Sequence, residues 1–220
     1  TEKTVVAGVM NRLKNLVVGV LILSGVLCGC MSDEGVKERV VGVEAGRDSL
    51  DVPEFSGDSA YIYVERQVAF GPRVPNSVEH VNCGEWLADE LRRHGANVIV
   101  QKGKSKAFDG KILELSNIVG QHNLNSKNRI MLYAHWDTRP FADKDIVRIN
   151  EPIDGANDGG SGVGVLLEIA RNISKKKPEI GVDIILFDAE DYGQPENSSY
   201  PIMTDSWCLG SQYWSKNPHT

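Results

Sequence analysis

The sequence lacks the features that define several protein classes. It has no CxxC pair of the kind found in zinc fingers and redox centres, no Gly-Lys-Ser/Thr phosphate-binding loop and no internal repeat. Basic residues are in deficit, since 24 Lys and Arg stand against 30 Asp and Glu, for a formal net charge of -6. No basic face for nucleic acid is evident, so we expect no nucleic-acid partner.

Long apolar runs are also scarce. The N-terminal run Leu16–Leu27 is too short to span a bilayer comfortably. A short basic stretch precedes it and small residues follow it, which is the pattern of a secretory signal, whereas a buried core helix is the alternative. The end of the run resembles a bacterial lipobox with Cys30 as the lipidated first residue of the mature protein.

This N-terminal pattern sets the expected domain organisation. Residues 1–30 are the signal and lipobox region, residues 31–58 a polar tether, and residues 59–220 one catalytic domain. We therefore expect an exported protein that is lipid-anchored in the bacterial cell envelope and touches the membrane only through that anchor. The cysteines of the domain, Cys83 and Cys208, are interpreted as buried free thiols, and a disulfide between them stays open if the compartment is oxidising.

Hydrophobic periodicity predicts alternating helices and strands in the domain. Helices are predicted over residues 59–70, 77–94 and 160–173 and from 208 onward, and strands over 97–101, 111–122, 129–135 and 182–187. This order favours an α/β fold with helices on both faces of a buried sheet. His80 and His94 fall on the second helix, where a surface or hydrogen-bonded histidine is the expected interpretation.

Three clusters of polar residues follow strands or precede a helix. His135 and Asp137 follow one apolar strand, Asp158 lies in a glycine-rich loop, and Glu190 and Asp191 follow a second apolar strand. Residues two apart in an extended chain point to one face, so His135 and Asp137 can address the same site. Because ligands of α/β sheets gather beyond the carboxyl ends of the strands, the clusters together predict a metal site.

Each cluster alone has an ordinary explanation. Asp158 could cap the following helix, and the glycine-rich loop could cradle phosphate, although Asp154 and Asp158 would repel it. Glu190 and Asp191 could be a charged loop, because neighbours in a strand face opposite ways. Both can reach one site only if the backbone turns there, which would leave one carboxylate as a metal ligand and the other as a base.

Residues 134–137, 155–162 and 187–191, together with Gly71-Pro72-Arg73, resemble the M28-type zinc exopeptidases and the related glutaminyl cyclases. The resemblance implies a three-layer α/β/α fold with a mostly parallel, mixed central sheet. It implies that Asp158 and Asp191 bind zinc, that Glu190 is the general acid/base, and that Asp137 supports His135 without binding metal. His135 is a ligand only in the two-zinc peptidases.

The sequence departs from the resembling family in its C-terminal part. The family's last ligand is a histidine further along, so the sequence is expected to be C-terminally incomplete, and His219 is a weak candidate for that ligand. Residues 204–211 resemble a cyclase segment, which implies that Asp205 hydrogen-bonds within the site. No Asp or Glu follows Asp205 to serve as the further ligand of a two-zinc enzyme. Trp207 could line a small pocket, and Trp136 could do so or pack in the core.

The preferred hypothesis is a monomeric, one-zinc glutaminyl-peptide cyclotransferase that forms pyroglutamate at peptide or protein N-termini and releases ammonia. The alternative in the same fold is an aminopeptidase with two zinc ions that hydrolyses N-terminal residues. A surface lipoprotein that only binds peptides is a third hypothesis, against which the intact Glu190 argues.

Overall fold

The computed structural model describes residues 51–219. The signal and lipobox region with Cys30 lies outside the described residues, as does the predicted tether up to residue 50. Within residues 51–219, no helix combines the length and the apolar character needed to cross a membrane. The helices are α1 (Gly57–Val68), α2 (Val78–Arg93), α3 (Gly160–Lys175) and α4 (Leu209–Lys216). The strands are β1 (Asn97–Lys106), β2 (Ile112–His122), β3 (Arg129–His135) and β4 (Gly181–Phe187).

Side-chain caps fix the starts of the first two helices. The hydroxyl of Ser56 accepts a hydrogen bond from the amide of Ser59, and that of Ser77 accepts one from the amide of His80, both at 3.1 Å. These bonds satisfy amides that have no partner within the helix. Helix α1 therefore begins at Gly57, two residues before the predicted start and inside the segment predicted as tether.

The β1–β2 hairpin is longer than the sequence predicted. Residues 102–110 were expected to form a basic turn, but β1 continues to Lys106, which pairs with Ile112. Lys102 and Lys104 reach Ser116 and Glu114 across the hairpin at 3.0 and 2.6 Å. Alternating lysines on an edge strand keep their charge in solvent and discourage pairing with another sheet, so a strand can carry a basic composition.

The sheet is mixed and has the order β1-β2-β4-β3. Strand β2 pairs antiparallel with both β1 and β4, whereas β3 and β4 form a parallel pair. The α/β class is confirmed, but the expectation of a mostly parallel sheet is wrong for the described residues. The tight turn between β1 and β2 forces them to be antiparallel, and only the connection through α3 returns the chain in a parallel direction.

Helices lie on both faces of the sheet, as predicted. On one face, the main core is formed by apolar side chains of α1, α2 and α3 with Ile118, Ile184 and Leu186. The alternate residues Val119 and Ile185 point to the opposite face, which α4 covers with Trp214. Strand β3 was predicted to be covered on both faces. Among the described residues it is instead an edge strand on which Met131 and Tyr133 are exposed.

Candidate active site

The parallel pairing of β3 and β4 brings two of the three polar clusters together. His135 is the register partner of Phe187, and the amide of Trp136 donates to the Phe187 carbonyl at 3.1 Å. The segments that follow, 136–139 and 188–191, therefore leave the same edge of the sheet side by side. The sequence correctly predicted this juxtaposition from the apolar runs that precede each cluster.

Asp137 fixes the turn that follows β4. Its two carboxylate oxygens accept hydrogen bonds from the amides of Glu190 and Asp191 at 3.0 and 3.1 Å, and its side chain is fully buried. Ala189 has a φ of 49°, in the left-handed region that L-residues rarely adopt. This is the backbone turn that the sequence argument required, and it lets both consecutive carboxylates reach one site.

The glycine-rich loop is held by Arg73, which the sequence analysis mentioned only as part of a motif. Its guanidinium is fully buried and donates to the carbonyl of Trp136 at 3.1 Å, of Asp154 at 2.7 Å and of Gly155 at 2.9 Å. One side chain thus joins the β3 end to the loop that carries Asp158. Gly155 has a φ of 59°, and a side chain there would collide with Thr138.

His135 and Asp158 meet at the mouth of the site. The imidazole Nε2 lies 2.8 Å from Asp158 Oδ1, and Nδ1 lies 3.6 Å from Asp137 Oδ1 and 4.0 Å from Glu190 Oε2. The latter two distances are too long for hydrogen bonds, so Nδ1 is buried without a partner. Gly159 allows the close approach, because a Cβ there would lie 2.6 Å from His135 Nε2.

The charges of the site are strongly coupled. Burial, followed by the carboxylates of Asp137 and Asp158, raises the pKa of Asp191 to about 7. Burial lowers the pKa of His135, but Asp137, Glu190 and Asp158 outweigh that effect and raise it to about 9. The same crowding of negative charge therefore favours a proton, or another cation, at both groups.

The donor set fits a divalent cation, although it is not a finished ligand sphere. Asp191 Oδ2 is buried and has no hydrogen-bond partner, and the carboxylate of Asp158 lies near enough to raise the pKa of Asp191. Carboxylate and imidazole groups are the oxygen and nitrogen ligands that zinc accepts. In the part of the chain that the structure describes, no three His, Cys, Asp or Glu side chains are yet spaced to hold an ion.

The cluster opens into a cavity of about 700 Å³. Glu190, with a third of its side chain exposed, faces this cavity and accepts a hydrogen bond from the Cys208 thiol, whose Sγ lies 3.3 Å from Oε1. Trp207 lines the cavity, as expected, and packs so closely over Gly193 that a Cβ there would collide with the indole. Trp136 is instead fully buried in the core.

Two of the residues discussed from the sequence lie elsewhere. Asp205 is exposed and does not line the cavity, and its carbonyl accepts a hydrogen bond from Gln212 at 2.9 Å. Its expected catalytic role therefore stays a prediction. His219 lies 3.8 Å from Asp183, at the opposite end of β4 from the site, and accepts a hydrogen bond from the indole of Trp214 at 2.8 Å. The structure does not bring His219 to the cluster.

Arg139 is a residue that sequence reasoning missed, because it opens a charged loop that has no regular period. Its guanidinium donates to both carboxylate oxygens of Asp143 at 2.8 and 2.6 Å and to the carbonyl of Asp191 at 2.9 Å. It also lies over the rings of Phe141 and Trp207, at 4.7 and 4.6 Å. Arg139 therefore connects the Trp207 wall of the cavity to the backbone of Asp191.

The two histidines of α2 are buried and hydrogen-bonded. His80 Nε2 lies 2.8 Å from Asp188 Oδ1, and its ring stacks on Trp136 with centroids 4.3 Å apart. His94 Nε2 lies 2.8 Å from the hydroxyl of Tyr63. Cys83 and Cys208 are free thiols, so the disulfide that the sequence left open is not formed.

Comparisons with known proteins agree with this site. Residues 117–220 match the model of Peptidase family M28. A glutaminyl cyclase from Bacteroides thetaiotaomicron, solved with bound N-acetylhistamine, is 55% identical, with a TM-score of 0.75 over 77% of this chain and 59% of that chain. A Zn-dependent exopeptidase from Parabacteroides distasonis is 56% identical, with a TM-score of 0.74 over 77% of this chain and 58% of that one.

A more distant similarity is to aminopeptidase YwaD from Bacillus subtilis, which is 28% identical over 153 residues. That alignment covers 67% of this chain but only 30% of YwaD. The chain thus spans well under two thirds of the length of these relatives. The resemblance to M28-type zinc exopeptidases and glutaminyl cyclases is confirmed, and their zinc dependence supports zinc as the metal.

Proposed function

From the M28-type domain that this chain carries, we propose that the protein is a zinc-dependent glutaminyl-peptide cyclotransferase. The observation that carries the proposal is the Glu190 carboxylate, which projects from a turn locked by Asp137 into the cavity beside Asp158 and Asp191. Identities of 55–56% to a glutaminyl cyclase and a Zn-dependent exopeptidase support the same chemistry here. Substrates are the N-terminal glutamine residues of peptides or proteins.

The reaction is an intramolecular acyl transfer. The α-amine of the N-terminal glutamine attacks its own γ-amide carbonyl, the new C–N bond closes the pyroglutamate ring, and the bond to the amide nitrogen breaks. Glu190 takes a proton from the attacking amine and delivers it to the leaving nitrogen, which departs as ammonia. No water molecule needs activation, so the free carboxylate suffices as the proton shuttle.

One zinc ion fits the proposal better than two. Asp158 and Asp191 would hold it, and when bound it supplies Lewis-acid polarisation of the γ-amide carbonyl. His135 would remain beside the metal without binding it, hydrogen-bonded to Asp158. Arg139 would keep Asp191 in place through its carbonyl, and Trp207 would shape the cavity that excludes bulky side chains.

Glu190→Gln tests the proposal directly. Loss of the proton shuttle is expected to lower kcat for a Gln-peptide by about 10²–10⁴-fold. The matched control is Glu196→Gln, which removes a carboxylate from the same cavity but only a loose 3.7 Å ion pair with Lys144. Ammonia release and pyroglutamate formation are measured on the full-length protein, and an active Glu190→Gln variant would contradict the assigned role.

The aminopeptidase alternative makes different predictions in the same assay. It would hydrolyse a Leu-peptide and contain two zinc ions per chain, with His135 as a ligand of the second. Metal analysis and a Leu-peptide substrate therefore separate the two enzymes. Leu-peptide hydrolysis together with two zinc ions would overturn the cyclase proposal.

Export and lipid anchoring are part of the proposal for the whole protein. They are supported only by the sequence pattern that ends at Cys30. Cys30→Ser is expected to abolish incorporation of labelled fatty acid and to release the protein from the membrane fraction. Unchanged labelling in this variant would refute the lipobox. A single band of monomer mass in solution is the expected oligomeric state.

A further inference from the structure

We propose that Cys208 is the positioning residue for the Glu190 carboxylate, in the role that the sequence suggested for Asp205. The inference rests on the proposed function for its catalytic consequence, but the contact itself does not. Cys208 Sγ donates to Glu190 Oε1 at 3.3 Å, an ordinary length for a sulfur donor. Among the described residues, this is the hydrogen bond that the Glu190 carboxylate accepts, while Asp205 points away from the cavity.

The backbone around Cys208 is built to place its side chain there. The amides of Cys208, Leu209 and Gly210 donate to three consecutive carbonyls, those of Glu190, Ala189 and Asp188, each at 3.0 Å. The start of α4 is thus docked on the turn that carries Glu190. Gly210 cannot be larger, because a Cβ there would lie 2.5 Å from Asn117 Oδ1.

The conformation of Cys208 indicates that the thiol matters more than local backbone comfort. Its φ of 58° lies in the left-handed region, where glycine or asparagine is the usual residue. A cysteine in this conformation costs free energy that glycine would avoid. The side chain is half-buried and its only hydrogen-bonding atom meets the Glu190 carboxylate.

The turn is therefore held from two sides. Asp137 binds the amides of Glu190 and Asp191, and the start of α4 binds the carbonyls of residues 188–190. Both sets fix the backbone but leave the Glu190 side chain free to rotate. The Cys208 thiol fixes that last freedom, since it holds one oxygen and leaves the other, Oε2, toward His135 and the cavity. Burial and this hydrogen bond raise the pKa of the thiol to about 11, so it stays a donor at neutral pH.

Three variants of Cys208 separate positioning from folding. Cys208→Ala removes the donor, Cys208→Ser retains a donor, and Cys208→Gly removes it while relieving the left-handed backbone. In the full-length protein with a Gln-peptide, Ala and Gly are each expected to lower kcat about threefold to tenfold with KM nearly unchanged. Serine is expected to recover kcat to within about twofold. Equal activity of the Ala variant and the wild-type protein would overturn the proposal, as would a loss in Ala that Gly restores, because that pattern would indicate backbone strain alone.

A second measurement judges the contact without any enzyme activity. The rate at which iodoacetamide alkylates Cys208 is followed by mass spectrometry of the peptide that contains it. Glu190→Gln is expected to raise this rate several-fold, because the neighbouring carboxylate no longer holds the proton on sulfur. Asp205→Asn, the control, should leave it unchanged. An unchanged rate in Glu190→Gln would refute the contact, whereas a wild-type protein that fails to cyclise Gln-peptides would refute only the proposed function.

Discussion

Two histidine–aspartate pairs lie on opposite sides of the turn at Ala189, and they share a separation of 2.8 Å. In the inner pair, His80 and Asp188 are almost wholly buried. In the outer pair, Asp158 has 64% of its side chain exposed and faces the cavity. The contact distance is therefore no guide to the role of a pair.

The difference between the pairs lies in how completely their atoms are used. Asp188 also accepts hydrogen bonds from the amides of Ser116 at 2.6 Å and Ala189 at 2.7 Å, and His80 stacks on Trp136. In the outer site His135 Nδ1 and Asp191 Oδ2 are buried without partners. Saturated polar groups stabilise a structure, whereas unpaired ones keep binding capacity for a metal or substrate.

The largest expected effect separates the pairs by stability. Asp188→Ala leaves His80 and two backbone amides unpaired in the core, and is expected to lower the free energy of unfolding by about 3–5 kcal/mol. Asp158→Ala removes an exposed carboxylate and is expected to change it by less than about 1 kcal/mol. Urea unfolding of the chelator-treated protein measures both. Equal losses would erase the distinction between a structural and a binding pair.

The next effect separates them by metal binding. Asp158→Ala is expected to weaken zinc binding by at least about 100-fold, because a direct ligand is worth no less than the groups that orient one. Tyr133→Phe, a change in the same cavity wall that removes no ligand, should leave zinc affinity unaltered. Titration with zinc and a competing chelator gives both affinities. Tight zinc binding by Asp158→Ala would exclude this residue as a ligand.

The outer pair also predicts a pH dependence in the metal-free protein. The folded pKa of His135 is raised from 6.5 to about 9, so the folded state binds its proton more tightly than the unfolded chain does. The resulting stability is complete below about pH 6.5 and is lost as the pH rises through 9. Urea midpoints between pH 6 and 10 should therefore fall by about 2 kcal/mol more in wild type than in His135→Gln. Parallel pH profiles would show that His135 is not held as a cation.

The smallest effect concerns a third buried histidine. Tyr63→Phe removes the hydroxyl that lies 2.8 Å from His94 Nε2 and leaves that nitrogen without its closest partner. A loss of about 1 kcal/mol in the free energy of unfolding is expected, with unchanged zinc affinity. Tyr61→Phe, on the exposed side of the same helix, is the matched control. A change in zinc affinity would show that buried pairs on this side of the sheet influence the site.

The parts of the site that depend on local pattern were predictable from the sequence. Apolar runs ended at His135 and at Phe187, and the parallel pairing that unites these ends follows from an intervening helix. The need for a turn before Glu190 followed from side-chain alternation in a strand, and Ala189 provides it. These inferences used only the periods of helix and strand and the rule that ligands lie at strand ends.

Residues that act through long-range contacts were not predictable in this way. Arg73 and Arg139 donate to carbonyls 52 to 82 positions away along the chain, and no period marks a residue whose partner is a distant backbone group. Cys208 gave no signal because a lone cysteine has many possible environments. The strand in residues 102–106 was missed because its lysines resemble those of a loop, and the antiparallel majority of the sheet depends on a turn whose position was misplaced.

Asp137 suggests how such a site can change its chemistry. It recognises the amides of residues 190 and 191, which every amino acid except proline possesses, and ignores their side chains. The mould is therefore independent of what it displays. Substitutions at these two positions can exchange base and ligand while the surrounding scaffold stays constant, so one backbone template can serve different reactions. For protein engineering, Asp137 is the residue to transplant first, and the two carboxylates are the replaceable cargo.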